Sequence, residues 1–470
     1  MIKKIKYLLG VIAAVTLFLF PKTIFECKKN SSALNYDFLK NDTSTVIDII
    51  GVGEMVLGSN YEGETWLPKN KDIFFQDVKK QLTEADVTVG SLEGPIGSSC
   101  GTGKICNDPS NCFNFRMPIF AATALKEAGF DFVNLANNHS LDLGYGALDS
   151  TRAYLKMNNI CFAGMKPDSF SIIERKGVKI GFTAFSSMNN CYSTLDTLQI
   201  KSIIKEAHKK TDIVIAFFDA GIEGNGGRHV TRQDEIFFGR NTGNIYKIAH
   251  TAIDAGADVV YSVGTHVLRA VEIYKGKFIS YSCGNFCVYG NIYNKGYCGI
   301  TSMSKVSLKK NGSLVKAQII PVKLDYHGVP MIDSIKEALS VLNQLMREDF
   351  PEYDTYIDSN GFVSSKAKLL VSDNYIKSEP KKINPVKVKT NQIIFKNKMF
   401  HVIAGSFKVE SNALSFKSRL ITEGYTKCNI INDGKGFYRV SILDTIVEEE
   451  ANTFLNKNYS KFKDGLFIWF

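Results

Sequence analysis

The octet Leu135–Asp142, LANNHSLD, sets two asparagines, a histidine and an aspartate directly behind an apolar run, FDFVNLA. Amide oxygens, imidazole nitrogens and carboxylates are donors for divalent cations and phosphate groups. A turn at the carboxyl end of a buried strand is also where open α/β sheets place their ligands. Read alone, Asn-Asn-His is equally well explained as a turn with a capping asparagine. Four further apolar runs end in the same way: Glu54 follows IIGVG, Glu93 follows VGSL, Asp219 and Glu223 follow IAFF, and His266 follows VGT. Singly, each is a helix cap or a loop ion pair. Brought to one sheet edge, they make a ligand set for a hard or borderline cation.

The elements that must position them are readable as a rhythm. From about Ser44 to Val322 apolar β-branched runs (VIDIIGVG, ADVTVGS, FDFVNLA, VKIGFTAF, TDIVIAFFD, ADVVYSV, KFISYS) alternate with amphipathic stretches such as SIIKEAHKK and NIYKIAHTAIDAGA. Strands alternating with helices predict an α/β sheet sandwiched by helices. Residues 330–365 read as a helical tail. From Lys398 the order is strand (MFHVIAGSF), helix (SNALSFKSRLITEGY), two strands (KCNIIND, GFYRVSIL), and a helix (VEEEANTFLNKN), a small βαββαβ, ferredoxin-like α+β domain. The expected domains are therefore 1–30, 44–345, a linker at 346–397, and 398–470.

With 470 residues, 44% of them hydrophobic, the chain buries a large core, and wholesale disorder is excluded. Lys3, Lys4 and Lys6 precede the fourteen-residue apolar run Tyr7–Phe20. That fits an export signal but falls short of the roughly twenty residues of a relaxed membrane span, so cleavage and retention as an anchor both stay open. Ten cysteines in an exported chain imply disulfides, and Cys100, Cys106 and Cys112 cluster in a Gly/Ser/Asn-rich loop. A loop staple explains them better than zinc, since no histidine lies near. The formal charge of +10 is concentrated in residues 366–398, where nine lysines face only Asp373 and Glu379, a net of +7. Such a stretch is a solvated tether able to rest on anionic lipid or wall polymer.

The ordered strings GEMVLGS, SLEGPIG, LANNHSLDLGYGALDST, DAGIEGNGGRHVTRQDE and AGADVVYSVGTHVLRAVEIYKGKFISYSCGNF carry a resemblance over residues 45–330. The chain here resembles the CapA poly-gamma-glutamate capsule synthesis family, whose fold is related to the calcineurin-like metallophosphoesterases. The resemblance implies a metallophosphoesterase-like sheet, and Cys106 and Cys112, followed by Phe115, Arg116 and Pro118, look like one branch of the family with a Cys106–Cys112 disulfide. The chain departs from the family pattern at several ligand positions. Gly53-Glu54 replaces Gly-Asp, Ser91 replaces Asn before Glu93, Asp219 stands where a histidine is usual, and Val263 takes the place of the first of two late histidines. A full two-metal site is therefore not expected. One divalent ion (Mn, Mg or Zn) held by Glu54, Glu93, Asn138, Asp219 and His266 is, with His139 as general acid or phosphate donor.

The carboxyl-terminal strings FHVIAGSFKVESNA and GFYRVSI, with the close Phe467, Trp469 and Phe470, resemble the SPOR family, which binds peptidoglycan glycan strands lacking stem peptides. Ser406, Phe407, Tyr438 and Arg439 carry over as glycan-contact positions, although strand alternation turns about half of such aromatics inward. The same sheet topology can bind RNA, but export argues against a nucleic-acid partner. Two functions are expected from these parts. One is an envelope hydrolase that cleaves or assembles a cell-surface polymer and is delivered to peptidoglycan. The other is a non-catalytic envelope scaffold that binds polymer through a degenerate metal site.

Overall fold

The runs Ile213–Phe218 and Val259–Tyr261 are continuously apolar and buried because both faces of their strands are covered, as in parallel α/β sheets generally. The structure, a computed structural model, describes residues 25–27, 45–61, 66–97, 101–105, 112–290, 294–366, 400–422 and parts of 425–469. The chain divides into two units, Met1–Ser372 and Asp373–Phe470.

In chain order the first unit contains β1 (Val46–Val56), β2 (Val87–Leu92), α1 (Phe120–Glu127), β3 (Phe130–Asn134), α2 (Gly144–Met157), β4 (Cys161–Ala163), β5 (Phe170–Arg175), β6 (Val178–Ser186), α3 (Thr197–His208) and β7 (Ile213–Asp219). It continues with α4 (Ile245–Ala255), β8 (Val259–Val263), β9 (Val271–Tyr274), β10 (Lys277–Ser280), β11 (Asn285–Val288), β12 (Ile300–Lys309), β13 (Leu314–Leu324) and α5 (Glu337–Asp349). One sheet runs β5-β6-β7-β8-β10-β9, with Phe25–Cys27 along its β5 edge. The other runs β13-β12-β1-β2-β3-β4, with Pro330–Ile332 beyond β13 and β11 paired to the end of β1. Strands β1 to β4 are parallel to one another, as are β6, β7, β8 and β10.

The sheets lie face to face. Phe132 on β3 stacks on Phe182 of β6 with ring centroids 4.7 Å apart. The Tyr261 hydroxyl on β8 donates to the Ser304 carbonyl on β12 at 3.1 Å. A Cβ at Gly51 on β1 would sit 2.2 Å from the Tyr261 ring, so glycine opens the space through which that ring spans the two layers. Helices α3 and α4 cover one outer face, and α1, α2 and α5 pack on the other sheet. Asp196 and Asn244 start α3 and α4 by accepting N–H groups of the first turn. The expected α/β class holds, in the form of two sheets between two helix layers.

The tail expected to be helical over 330–365 is helical only through α5. Beyond it Asp358 accepts hydrogen bonds from the Asn360 and Phe362 N–H groups, both at 2.9 Å. This turn pairs Asp354–Ile357 with Val363–Lys366 as a hairpin. An Asx turn followed by Gly361, whose φ is 85°, outcompetes helix here.

The second unit contains β14 (Phe400–Phe407), α6 (Glu410–Thr422), β15 (Asn429–Asn432), β16 (Tyr438–Thr445) and β17 (Phe467–Trp469), with helical positions at Ala451, Phe454, Leu455 and Asn458 before the last strand. Its antiparallel sheet is ordered β15-β16-β14-β17, the βαββαβ arrangement expected. Val402, Ala404, Leu420, Val440 and Leu443 form its core. Among the described residues no helix is long and apolar enough to cross a membrane. Residues 1–24 and 28–30 of the expected export signal, residues 367–398 of the expected tether, Cys100 and Cys106 lie outside the described residues. Cys112 and Cys161 are each disulfide-bonded.

One local irregularity sets up the site. The pairing of β1 with β2 shifts register between Gly51 and Glu54, a bulge that re-aims the following side chain. The Glu54 N–H then donates to the Gly284 carbonyl at 3.0 Å, and a Cβ at Gly53 would lie 1.8 Å from that same oxygen. Gly53→Ala is expected to cost about 3 kcal/mol through this backbone collision. An unchanged denaturant midpoint would remove the bulge from its assigned role.

Candidate metal centre

The parallel strands of both sheets deliver their carboxyl ends to one cleft. Glu54 on β1, Glu93 after β2 and His266 after β8 are buried and offer donor atoms that all lie within 4.8 Å of one another. His266 sits at φ 59°, a left-handed conformation that few residues with a side chain adopt and that clusters at functional sites. In the same turn the Gly264 N–H donates to Glu54 Oε1 at 3.0 Å. His266 Nδ1 donates to Asn285 Oδ1 at 2.9 Å. Glu54 Oε2 is 2.8 Å from that nitrogen but off its N–H direction, and it is buried with no hydrogen-bond partner.

The other imidazole nitrogen points into the cleft. His266 Nε2 is 3.7 Å from both Glu93 Oε1 and Glu223 Oε2, and Glu93 Oε1 is 3.8 Å from His139 Nε2. These gaps are too long for hydrogen bonds and match donors about 2.0–2.2 Å from a shared cation. The NNH turn is itself tightly held. Asn137 donates to the Leu92 carbonyl at 2.8 Å and accepts the His139 N–H at 3.0 Å, which locks the turn to the end of β2. Asp142, fully buried, accepts from His139 Nδ1 at 2.8 Å and so orients the ring with Nε2 toward Glu93. A carboxylate or amide behind each imidazole is the arrangement that orients metal-binding histidines.

Electrostatics agrees with the geometry. Burial, reinforced by the Glu54 charge, raises Glu93 to about 7. Burial raises Glu223 as well. For His266 burial opposes the charge, yet the Glu54 and Glu93 carboxylates push it well up. A cleft of dehydrated, mutually repelling carboxylates with an orphaned oxygen is relieved by a cation, so these residues fit a divalent ion.

Asp219 and Asn138, the remaining expected ligands, line the same cavity as Glu93 and His266. Asp219 ends β7 and lines the cavity, but its Oδ2 accepts from Ser186 Oγ at 2.7 Å, and burial raises it to about 7. Val263, wholly buried, is its ladder partner on β8 and supplies no donor. Asn138 also lines the cavity, and its carbonyl accepts from Lys104 Nζ at 3.3 Å.

Several contributors were not singled out from the sequence. Asn285 lies in the quoted SCGNF string, where its role could have been sought. Lys104 sits in the cysteine loop, with no periodicity to flag it. Arg269, fully buried, makes a double ion pair with Glu235, at 2.8 and 2.7 Å, and its Nε donates to the Gly227 carbonyl. Glu235 also accepts the Ile222 N–H at 2.9 Å, so this pair fixes the loop carrying Glu223.

In the second unit the expected glycan positions fall on two faces. Ser406 pairs across the ladder with Arg439, which donates to its hydroxyl at 3.1 Å. Phe407 and Tyr438, the next pair, turn to the opposite face and pack against the core, Phe407 with its ring centroid 5.1 Å from that of Phe416 on α6.

Residues 48–289, just over half of the chain, match the model of the family described as bacterial capsule synthesis protein PGA_cap. The chain belongs to this family. A SPOR domain matches residues 396–461. Among curated PGA_cap relatives, the PGA biosynthesis protein CapA of Bacillus subtilis (strain 168) is 26% identical over 334 residues, 66% of this chain and 80% of that one. The capsule biosynthesis protein CapA of Bacillus anthracis is 24% identical over 326 residues, 63% of this chain and 72% of that one. Among solved structures, the match to the NAD nucleotidase of Haemophilus influenzae has 12% identity and a TM-score of 0.33, covering 64% of this chain and 63% of that one. The match to the 5'-nucleotidase precursor of Thermus thermophilus has 12% identity and a TM-score of 0.34, covering 65% and 59%. Scores that low add nothing to the argument about this PGA_cap protein.

Arg269→Met strands a buried Glu235 carboxylate and is expected to cost about 3–5 kcal/mol. The double variant Arg269→Met, Glu235→Leu should regain most of it. Denaturant midpoints of the two proteins check the pair, and equal midpoints would show that no charge is left uncompensated.

Proposed function

We propose that this protein is a metal-dependent hydrolase of the cell envelope, acting on a phosphoester or amide bond of a cell-surface polymer and held at peptidoglycan by its SPOR domain. The observation that carries the reading is the donor set itself: Glu54, Glu93 and His266 converge from different strands around an orphaned, buried Glu54 oxygen. These three hold the cation, and Mn, Mg or Zn suits their oxygen and nitrogen donors. When bound, such an ion supplies Lewis-acid polarisation of a phosphoryl or carbonyl oxygen.

The rest is done by the chain. Glu223, whose side chain is 30% exposed, is the carboxylate nearest solvent and accepts a proton from the attacking water. The oxygen of that water bonds to the phosphorus or carbonyl carbon as the scissile bond breaks. His139, with Nδ1–H held by Asp142, delivers a proton from Nε2 to the leaving oxygen or nitrogen. Asp219, paired with Ser186, and Val263 leave the neighbouring position without ligands, and this favours one ion over two.

Those same two residues support a second reading, a PGA_cap scaffold that binds polymer without cleaving it. In either case the SPOR match supports residence outside the cytoplasmic membrane on glycan strands, and the proposed contact face is the one that carries Ser406 and Arg439. The amino-terminal segment serves as export signal or membrane anchor.

Metal titration of the full chain by calorimetry with Mn, Mg and Zn separates the readings. Stoichiometric binding that disappears in Glu93→Ala, with retention on purified glycan strands intact, is the expected result. Absence of binding at millimolar metal leaves the scaffold. Deleting residues 398–470 is expected to abolish glycan retention while metal binding persists, and full retention would sink the SPOR tether.

A further inference from the structure

We infer that Lys104 is the anion-holding residue of this site, presenting an ammonium beside the metal position to a phosphate or carboxylate oxygen of the substrate. The inference rests on the metal-centre reading and adds to it what the substrate must carry. Lys104 arrives from outside the sheets, on a segment whose next residue, Ile105, is 99% exposed.

The segment is pinned nonetheless. The Lys104 N–H donates to the Asp142 carbonyl at 2.7 Å and to Asn114 Oδ1 at 2.9 Å, and Asn114 Nδ2 donates back to the Lys104 carbonyl at 3.3 Å. One residue earlier, the Gly103 N–H donates to the Tyr61 hydroxyl at 2.8 Å. A surface lysine needs none of this.

An ammonium has three donors. One meets Asp142 Oδ1 at 2.6 Å and a second the Asn138 carbonyl at 3.3 Å. The third approaches His139 Nδ1 at 3.1 Å, but that nitrogen faces Asp142 at 2.8 Å. Nδ1 is assigned the proton that Asp142 accepts, in the neutral ring as in the charged one that donates from Nε2, which leaves Lys104 no acceptor there. The third N–H therefore remains for the cavity of about 700 Å³ that Lys104 lines. The same cavity is lined by a second cation, Arg240, and by the exposed Phe238. Two cations lining one cavity favour a ligand that is itself negative.

The test is calorimetric titration of the Mn-loaded full chain with inorganic phosphate and, separately, with acetate. Lys104→Met is expected to weaken the bound anion about tenfold or more, the loss of one charge-assisted hydrogen bond. Lys104→Arg should restore it, and Mn affinity should stay within about threefold. Preference for phosphate points to a phosphoester substrate, and preference for acetate to a carboxylate-bearing polymer. Lys104→Gln, which keeps a donor toward Asp142, must lose the anion as Lys104→Met does; if Gln binds it as well as Lys, charge is not what matters and the inference fails. It fails equally if Lys104→Met binds the anion normally, or if the Mn-loaded wild type binds neither anion. If the wild type takes up no Mn, the metal reading falls. The same titrations on the metal-free protein then decide Lys104 by the same differences.

Discussion

Four carboxyl groups, Glu54 and Glu93 buried and Asp219 and Glu223 half-buried, meet at one cleft with the His139 and His266 rings among them. Like charges at low dielectric repel strongly, and the surrounding structure answers that repulsion at each group. Asp219 is given a hydroxyl and a raised affinity for its proton. Glu54 is given a backbone N–H on one oxygen and, on the other, only the His266 ring 2.8 Å away. The imidazoles are fixed from behind by Asn285 and Asp142, so neither ring can turn away to relieve the crowding. The bulge at Gly53, the left-handed turn at His266 and the buried Arg269–Glu235 pair are the backbone and side-chain features that hold this charge arrangement in place.

The fold was legible because its strands are continuous apolar runs closed by polar residues, and the first unit puts those runs in the sheet. The site was legible in part for the same reason: a donor that ends a strand is conspicuous, as Glu54, Glu93 and His266 were. What the sequence hid depends on contacts between distant segments. Lys104 reaches Asp142 across a loop, and Arg269 finds Glu235 from a different turn. No local pattern encodes either. The hairpin after α5 was read as helix because apolar spacing in so short a tail is ambiguous, and the Asx turn at Asp358 decided the matter. Alternation says that half of the strand aromatics in the second unit face inward, without saying which half. That depends on register shifts in β14, around Ile403, which leave Phe407 on the core side.

The PGA_cap unit and the SPOR unit divide the work by chemistry. The first concentrates titratable groups around a cavity of about 700 Å³. The second offers a sheet face with Arg439 and Ser406 side by side, a hydrogen-bonding surface.

The two halves of the donor set belong to different sheets: Glu54 and Glu93 to one, His266 to the other. Their spacing is therefore a property of how the layers are aligned, and the Tyr261 ring, seated in the gap at Gly51 and bonded to Ser304, acts as a dowel between them. Shear of one layer over the other changes every distance across the cleft together. Any ion-size preference of the proposed metal centre would thus be encoded partly in a tyrosine and a glycine that are not among its donors.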